Sequence, residues 1–146
     1  MARSFFRFFM KFFMAIGTTL YKISGGKIGG RISGLEVLLL TTRGRKTGIE
    51  RTTPLGYFKY GQGSYVIIGS NAGFDTQPAW FYNLKSQPHV TIQVKDKQLD
   101  VDAEVAGSEK RNQLWTQLVK LAPFYGNYEK KTDREIPIVI LHPVHA

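Results

Sequence analysis

The chain has 146 residues, enough for one domain with a hydrophobic core and tight for two. It has no cysteine, which excludes disulfides, thiolate zinc sites and a cysteine nucleophile, and its three histidines (His89, His142, His145) are too few and scattered for a metal centre. The net charge of +9 sits almost wholly in residues 1–51, which carry ten Lys/Arg against two Asp/Glu, so the partner classes to sort are anionic lipid, nucleic acid and an anionic small molecule.

The chain opens with MARSFFRFFMKFFMAIGTTL. Read as a helix, Arg3, Arg7 and Lys11 form one cationic stripe, and Phe5, Phe6, Phe8, Phe9, Phe12 and Phe13 cover the rest. Such a helix suits a membrane interface. Packing of the phenylalanines on the protein's own body, or on a second subunit, is the structural alternative. The charges interrupt any signal-peptide core. The uncharged run from Phe12 to Tyr21 is ten residues, about half of a membrane span. YKISGGKIGGRISG follows and reads as a flexible linker whose Lys22, Lys27 and Arg31 can meet anionic headgroups.

From Leu35 the pattern becomes regular. LEVLLLTT (35–42) reads as a buried strand, and TTPLGYFKY (52–60) and SYVIIGS (64–70) as strands joined by a Gly-Gln-Gly turn. A helix is predicted over 76–88, capped by Asp75 or Thr76 and bounded by Pro88. HVTIQVK (89–95) and KQLDVDAEVAG (97–107) alternate as strands. SEKRNQLWTQLVKLA (108–122) is an amphipathic helix with Ser108 as a plausible cap, and EIPIVILHP (135–143) is a last strand. Consecutive strands with hairpin-like connections predict an α+β, mainly β fold: about six antiparallel strands in a sheet or small barrel with flanking helices. The organisation expected is an N-terminal helix and linker over 1–33 and a body over 34–146.

Between the first two strands lies TTRGRKTGIER (41–51), where Arg43, Arg45, Lys46 and Arg51 face a single carboxylate, Glu50. If Gly44 and Gly48 adopt positive φ, backbone N–H groups converge there, and Thr41, Thr42 and Thr47 add hydroxyls. Such a turn cradles phosphate or carboxylate oxygens. It is not a Walker A loop, because a strand follows it. A solvated hairpin tip is the bland alternative. A nucleic-acid grip is disfavoured because the rest of the body is nearly neutral.

LLLTTRGRKTGIERTTPLGYF, VIIGSNAGFDTQPAWFYNLKSQPHVTIQV and APFYGNYEKKTDREIPIVIL together resemble the signature blocks of the deazaflavin (F-420)-dependent nitroreductase, or quinone reductase, family, over about Leu38 to Pro143. The resemblance implies a split β-barrel of the flavin-mononucleotide-binding type, with reduced coenzyme F-420, an 8-hydroxy-5-deazaflavin, as hydride donor. Quinone-like or nitroaromatic acceptors are implied, at the cytoplasmic face of the membrane, reached through residues 1–31. By the family pattern Arg45, Lys46, Thr47 and Arg51 contact the coenzyme's phosphate and polyglutamate tail. Pro54 and Leu55 lie beside the ring; Gly69, Ser70 and Asn71 meet its polar edge; Trp80 and Asn83 line the same cleft. Tyr125 and Tyr128 match substrate-side tyrosines, and Ser70 joins them as a polarising group. Trp80 has core packing as its alternative, Asn83 a role bracing the loop, and the two tyrosines packing at the barrel mouth. One departure stands out: where a tyrosine often follows the strand proline by two positions, this chain has Gly56, and Tyr57 comes next. A one-residue shift on a strand points to the opposite face. Alternatives to the reductase are a flavin-mononucleotide-binding barrel reductase and a non-catalytic deazaflavin carrier. No metal and no nucleic acid are expected, and the chain is a monomer or homodimer.

Overall fold

The structure, a computed structural model, describes residues 15–32, 34–71 and 75–144. Residues 15–24 are helical (α1). There follow β1 (Arg31–Ile32), β2 (Leu35–Arg43), β3 (Glu50–Tyr60), β4 (Ser64–Ile68), α2 (Ala79–Ser86), β5 (His89–Val94), β6 (Lys97–Val105), α3 (Ser108–Leu121), α4 (Tyr125–Lys131) and β7 (Ile138–Pro143). The strand order is β1-β2-β3-β4-β7-β6-β5, and β5 returns to β2 through Leu39↔Gln93, Leu40↔Ile92 and Thr41↔Thr91. Six strands, β2 to β7, therefore close into an antiparallel barrel, and β1 hangs on its rim. The split-barrel expectation holds.

Alternation along the strands builds two cores. Leu38, Leu40, Ile67, Ile92, Val101, Val139 and Leu141 fill the barrel, and Trp80, Phe81 and Leu84 of α2 pack on them. On the outside, Phe58, Val66, Ile68, Ile138 and Ile140 meet Leu114, Trp115 and Leu118 of α3 and Tyr125 of α4. β7 is buried on both faces, which explains its uncharged run. A third contact is small: Tyr21, 1% exposed, packs on Val37 and Leu39 and ties α1 to the barrel wall.

Several local expectations are corrected. The helix expected over 76–88 is shorter, because Pro78 stands at its N-cap with no side-chain cap from Asp75 or Thr76. The cap of α3 is Gly107, and Ser108 is its first helical residue. The glycine-rich stretch contains a two-residue strand, β1, pairing Arg31 with Glu36. α4, an unexpected helix, folds YGNYEKK, which lacks an apolar stripe. The phenylalanine-rich residues 1–14 lie outside the described residues. Among the described residues no helix is long and apolar enough to cross a membrane.

Candidate functional site

The basic turn joins β2 to β3, and a buried side chain holds it in place. Asn83 of α2, 6% exposed, accepts from the Arg45 backbone N–H at Oδ1 (3.1 Å) and donates from Nδ2 to Thr42 Oγ1 (3.1 Å). The Arg45 guanidinium lies 4.8 Å from the centroid of the Tyr82 ring, a cation–π contact that fixes its direction. The expected amide cradle is corrected. Only Gly48 of the two glycines has positive φ (71°). The Gly44 N–H donates to Ile49 O and the Gly48 N–H to Gly44 O, both at 2.8 Å, while the Ile49 N–H donates to Thr47 Oγ1 at 3.2 Å. Those backbone donors are spent inside the hairpin, so side chains carry the attraction for an anion. Arg43 reaches Glu50 only at 4.0 Å, with both side chains more than half exposed, a weak pair. Arg45, Lys46 and Arg51 have no ion-pair partner among the described residues.

From that turn, β3 presents two faces. Thr52, Pro54, Gly56 and Phe58 share the outer face; Leu55 and Tyr57 point into the barrel with the interior cluster. Pro54 and Leu55 thus offer side chains to opposite sides. At Gly56 an added Cβ would lie 3.0 Å from Tyr125 Oη and 3.2 Å from Leu35, so the tyrosine hydroxyl occupies the volume that a side chain at 56 would take. Tyr125 stacks edge-on with Tyr128 (5.6 Å, 76°), and Tyr128 edge-on with Phe124 (5.1 Å, 85°). Burial pushes the Tyr125 phenol up to about 12, with the neighbouring Tyr128 adding to it. Burial raises Tyr128 as well. Both remain neutral donors at physiological pH. Tyr57 is unrelated to this face: its hydroxyl donates to Glu36 Oε2 (3.0 Å), and burial, then that contact, raises its pKa.

The loop after β4 is clamped. The Gly69 N–H donates to Pro137 O (2.9 Å), and a Cβ on Gly69 would lie 2.8 Å from Pro137 Cγ, so only glycine fits. Arg134 donates to Ser70 O (2.8 Å) and to Gln77 Oε1 (2.8 Å). Asn71, at φ 48°, donates its side-chain amide to Thr76 O (2.9 Å). This brings Gly69 and Ser70 beside the segment that follows α4, on the side of the tyrosines. Trp80 stands apart: 6% exposed, it packs edge-on against Phe81 within the barrel core.

Three residues important here were given no role from sequence. Arg134 stood inside TDREIP, but nothing local linked it to Ser70. Tyr82 neighbours two residues of interest, yet its partner Arg45 is remote in sequence. Leu35 closes on Gly56 only through strand pairing. Among the described residues no three His, Asp or Glu side chains converge as a metal site.

The basic turn thus carries three cations, Arg45, Lys46 and Arg51, without an ion-pair partner among the described residues, and farther along β3 two neutral phenols gather over the outer face at Gly56. Arg51 and Gly56, five residues apart on β3, are separated by roughly 17 Å and project to opposite faces of the strand. A closed antiparallel barrel of six strands with this connectivity defines a split-barrel protein. Residues 14–143 match the model of the F420H(2)-dependent quinone reductase family, and the chain belongs to that family. The F420H(2)-dependent quinone reductase Rv1261c of Mycobacterium tuberculosis is similar, 39% identical over 127 residues covering 84% of each chain. A solved F420-H2 dependent reductase (FDR-A) superposes with a TM-score of 0.65 at 36% identity, over 73% of this chain and 93% of that one. A chain solved as a domain-swapped dimer gives 0.66 at 36% identity, over 73% and 79%. Membership makes the protein an oxidoreductase dependent on coenzyme F420. The residues fit that coenzyme: Arg45, Lys46 and Arg51 are cations without an ion-pair partner among the described residues, suited to its anionic groups, and Tyr125 and Tyr128 are neutral phenols.

Proposed function

We propose that the protein passes a hydride from reduced coenzyme F420 to a quinone-type acceptor at an anionic membrane surface. The observation that carries this reading is the basic turn braced by Asn83, whose Arg45, Lys46 and Arg51 have no ion-pair partner among the described residues. Arg45, Lys46 and Arg51 neutralise the phosphate and acidic tail, and Thr47 flanks them. The outer face of β3 at Pro54 lies along the ring. Gly69, Ser70 and Asn71 border its polar edge, with Ser70 held in place through Arg134. Asn83 acts through Arg45 and Thr42 as a positioning residue, and Trp80 supports α2 from within the core.

When bound, the reduced coenzyme supplies the hydride, so the protein needs neither a nucleophile nor a metal. Its task is to hold donor and acceptor in register, exclude water and donate to the acceptor oxygen. A neutral phenol suits that donation, because it gives a hydrogen bond while its ring packs on the acceptor. The Gly56–Tyr125 arrangement places that hydroxyl directly over the strand. Nitroaromatic compounds, which also take up hydride and present polar oxygens, are a second acceptor class for the same slot.

The membrane part of the reading is supported by the Phe/Arg/Lys pattern of residues 1–13 and by exposed apolar side chains along α1. The test is titration of the purified protein with reduced F420, followed by a menaquinone analogue. Micromolar binding and F420 oxidation upon quinone addition are expected. Absence of coenzyme binding, or a copurifying yellow flavin, rejects the reading, and tight binding without turnover of any quinone points to a carrier.

A further inference from the structure

At the barrel end remote from the basic turn, the loop after α1 and the β5–β6 turn enclose a pocket of about 510 Å³. Its place follows from register: Glu36 and Tyr57 are cross-strand partners, while Arg43 pairs with Glu50 at the other end of the same hairpin. The two ends are roughly 23 Å apart along β2. The polar lining is Tyr21, Lys27, Arg31, Glu36, Tyr57 and Lys95.

The walls are built. The Tyr21 hydroxyl donates to Val37 O (2.8 Å) and accepts from the Lys95 backbone N–H (2.6 Å). Gly26, at φ 85°, passes so close that an added Cβ would lie 2.8 Å from Lys95 Cα. Lys95 itself holds φ 57°, rare for a side chain of its size. The single acidic lining residue, Glu36, is engaged by the Tyr57 hydroxyl. Lys27, Arg31 and Lys95 have no ion-pair partner among the described residues. On α1, the helix that supplies Tyr21 to the pocket, Ile16, Leu20 and Ile23 share another face at 43%, 39% and 79% exposure, and Ile28 follows at 52%. An apolar stripe left in the open marks a contact surface.

We propose that this pocket receives the phosphate-bearing headgroup of an anionic membrane phospholipid, with the Ile16–Leu20–Ile23 stripe seated among the acyl chains. The inference rests on the membrane-surface reading and gives it a specific site. Three uncommitted cations match a phosphate diester, and the adjacent stripe favours a lipid over a free phosphate. The pocket lies at the end of the β2–β3 hairpin away from the basic turn, so lipid and coenzyme bind together.

The experiment is co-sedimentation of the full-length protein with phosphatidylcholine vesicles with and without phosphatidylglycerol. Arg31→Gln with Lys95→Asn removes two pocket charges, asparagine being chosen because it tolerates positive φ. Lys59→Gln with Lys120→Gln removes two exposed cations that do not line the pocket. Affinity for the anionic vesicles is expected to fall at least tenfold, about a factor of five per charge, in the pocket variant and less than about threefold in the control. Both should keep the wild-type melting temperature and coenzyme affinity. Lys27→Gln with Lys95→Asn serves if the first pair fails to fold. Equal losses in the two variants, or no loss in the pocket variant, overturn the site and leave the membrane reading intact. Release of the wild type from vesicles by inorganic phosphate at constant ionic strength also overturns it, in favour of a simple phosphate site. A wild type that ignores the anionic vesicles sinks both.

Discussion

The two ends of the barrel are both cationic, yet they are fastened differently. At the basic-turn end an amide, Asn83, reaches from α2 to hold an exposed hairpin by its Arg45 backbone. At the opposite end a phenol, Tyr21, reaches from α1 to hold the β5–β6 turn by its Lys95 backbone. In each case a buried neutral group spends its hydrogen bonds on main chain or hydroxyl, and neighbouring cations have no ion-pair partner among the described residues. Charge repulsion within each cluster is therefore offset by packing and neutral hydrogen bonds rather than by internal carboxylates. The difference lies in what the latch connects. Asn83 joins elements of the barrel body, whereas Tyr21 joins the body to an appended helix.

The strongest way to break this comparison is to remove Tyr21. Tyr21→Ala should cost about 3–5 kcal/mol of folding stability, read by denaturant melts, and should abolish the latch of α1 while coenzyme affinity falls little. Next comes Arg45→Gln with Lys46→Gln, expected to weaken coenzyme binding about 100-fold, or about 2–3 kcal/mol, with the melting temperature unchanged; calorimetric titration checks it, and an unchanged affinity would refute the electrostatic account. Asn83→Ala should combine both effects, losing about 1–3 kcal/mol of stability because Thr42 and the Arg45 amide lose their partner, together with part of the coenzyme affinity.

Alkaline titration separates the two ends further. Tyr125 has a raised pKa, so between about pH 10 and 12 the unfolded chain loses a proton that the folded chain retains, and stability falls as pH rises. About 2–3 kcal/mol should be lost across that window. Tyr125→Phe should flatten this part of the curve, and Tyr57→Phe should leave it in place while removing its own share from the pocket end. The smallest effect is expected from Gly56→Ala, where Tyr125 must yield a few tenths of an ångström; quinone turnover should fall severalfold with coenzyme affinity nearly constant, as steady-state kinetics would reveal.

Much of the barrel was legible because its strands alternate cleanly. Leu99, Val101 and Ala103 on β6, and the uncharged run of β7, carry the period and burial of their strands in plain view. The opposite orientations of Gly56 and Tyr57 were also readable from period two. Elements held by tertiary contact were not. α4 has no apolar stripe, and its Tyr125 is buried against a glycine remote in sequence. β1 hides among glycines because it needs only two residues paired to Glu36 and Leu35. At the basic turn, composition announced the charge but not the use of the amides, which depends on which glycine takes positive φ. Asn83 carried two readings, ligand contact and loop brace, because an amide looks the same in sequence whether it faces a ligand or a neighbouring loop.

Positions 56 and 125 compete for one volume. In this chain a bulkier residue at the strand position would force Tyr125 to retreat, lifting its hydroxyl off the sheet. The stiffness with which that hydroxyl is held is thus set by a strand residue that carries no side chain of its own.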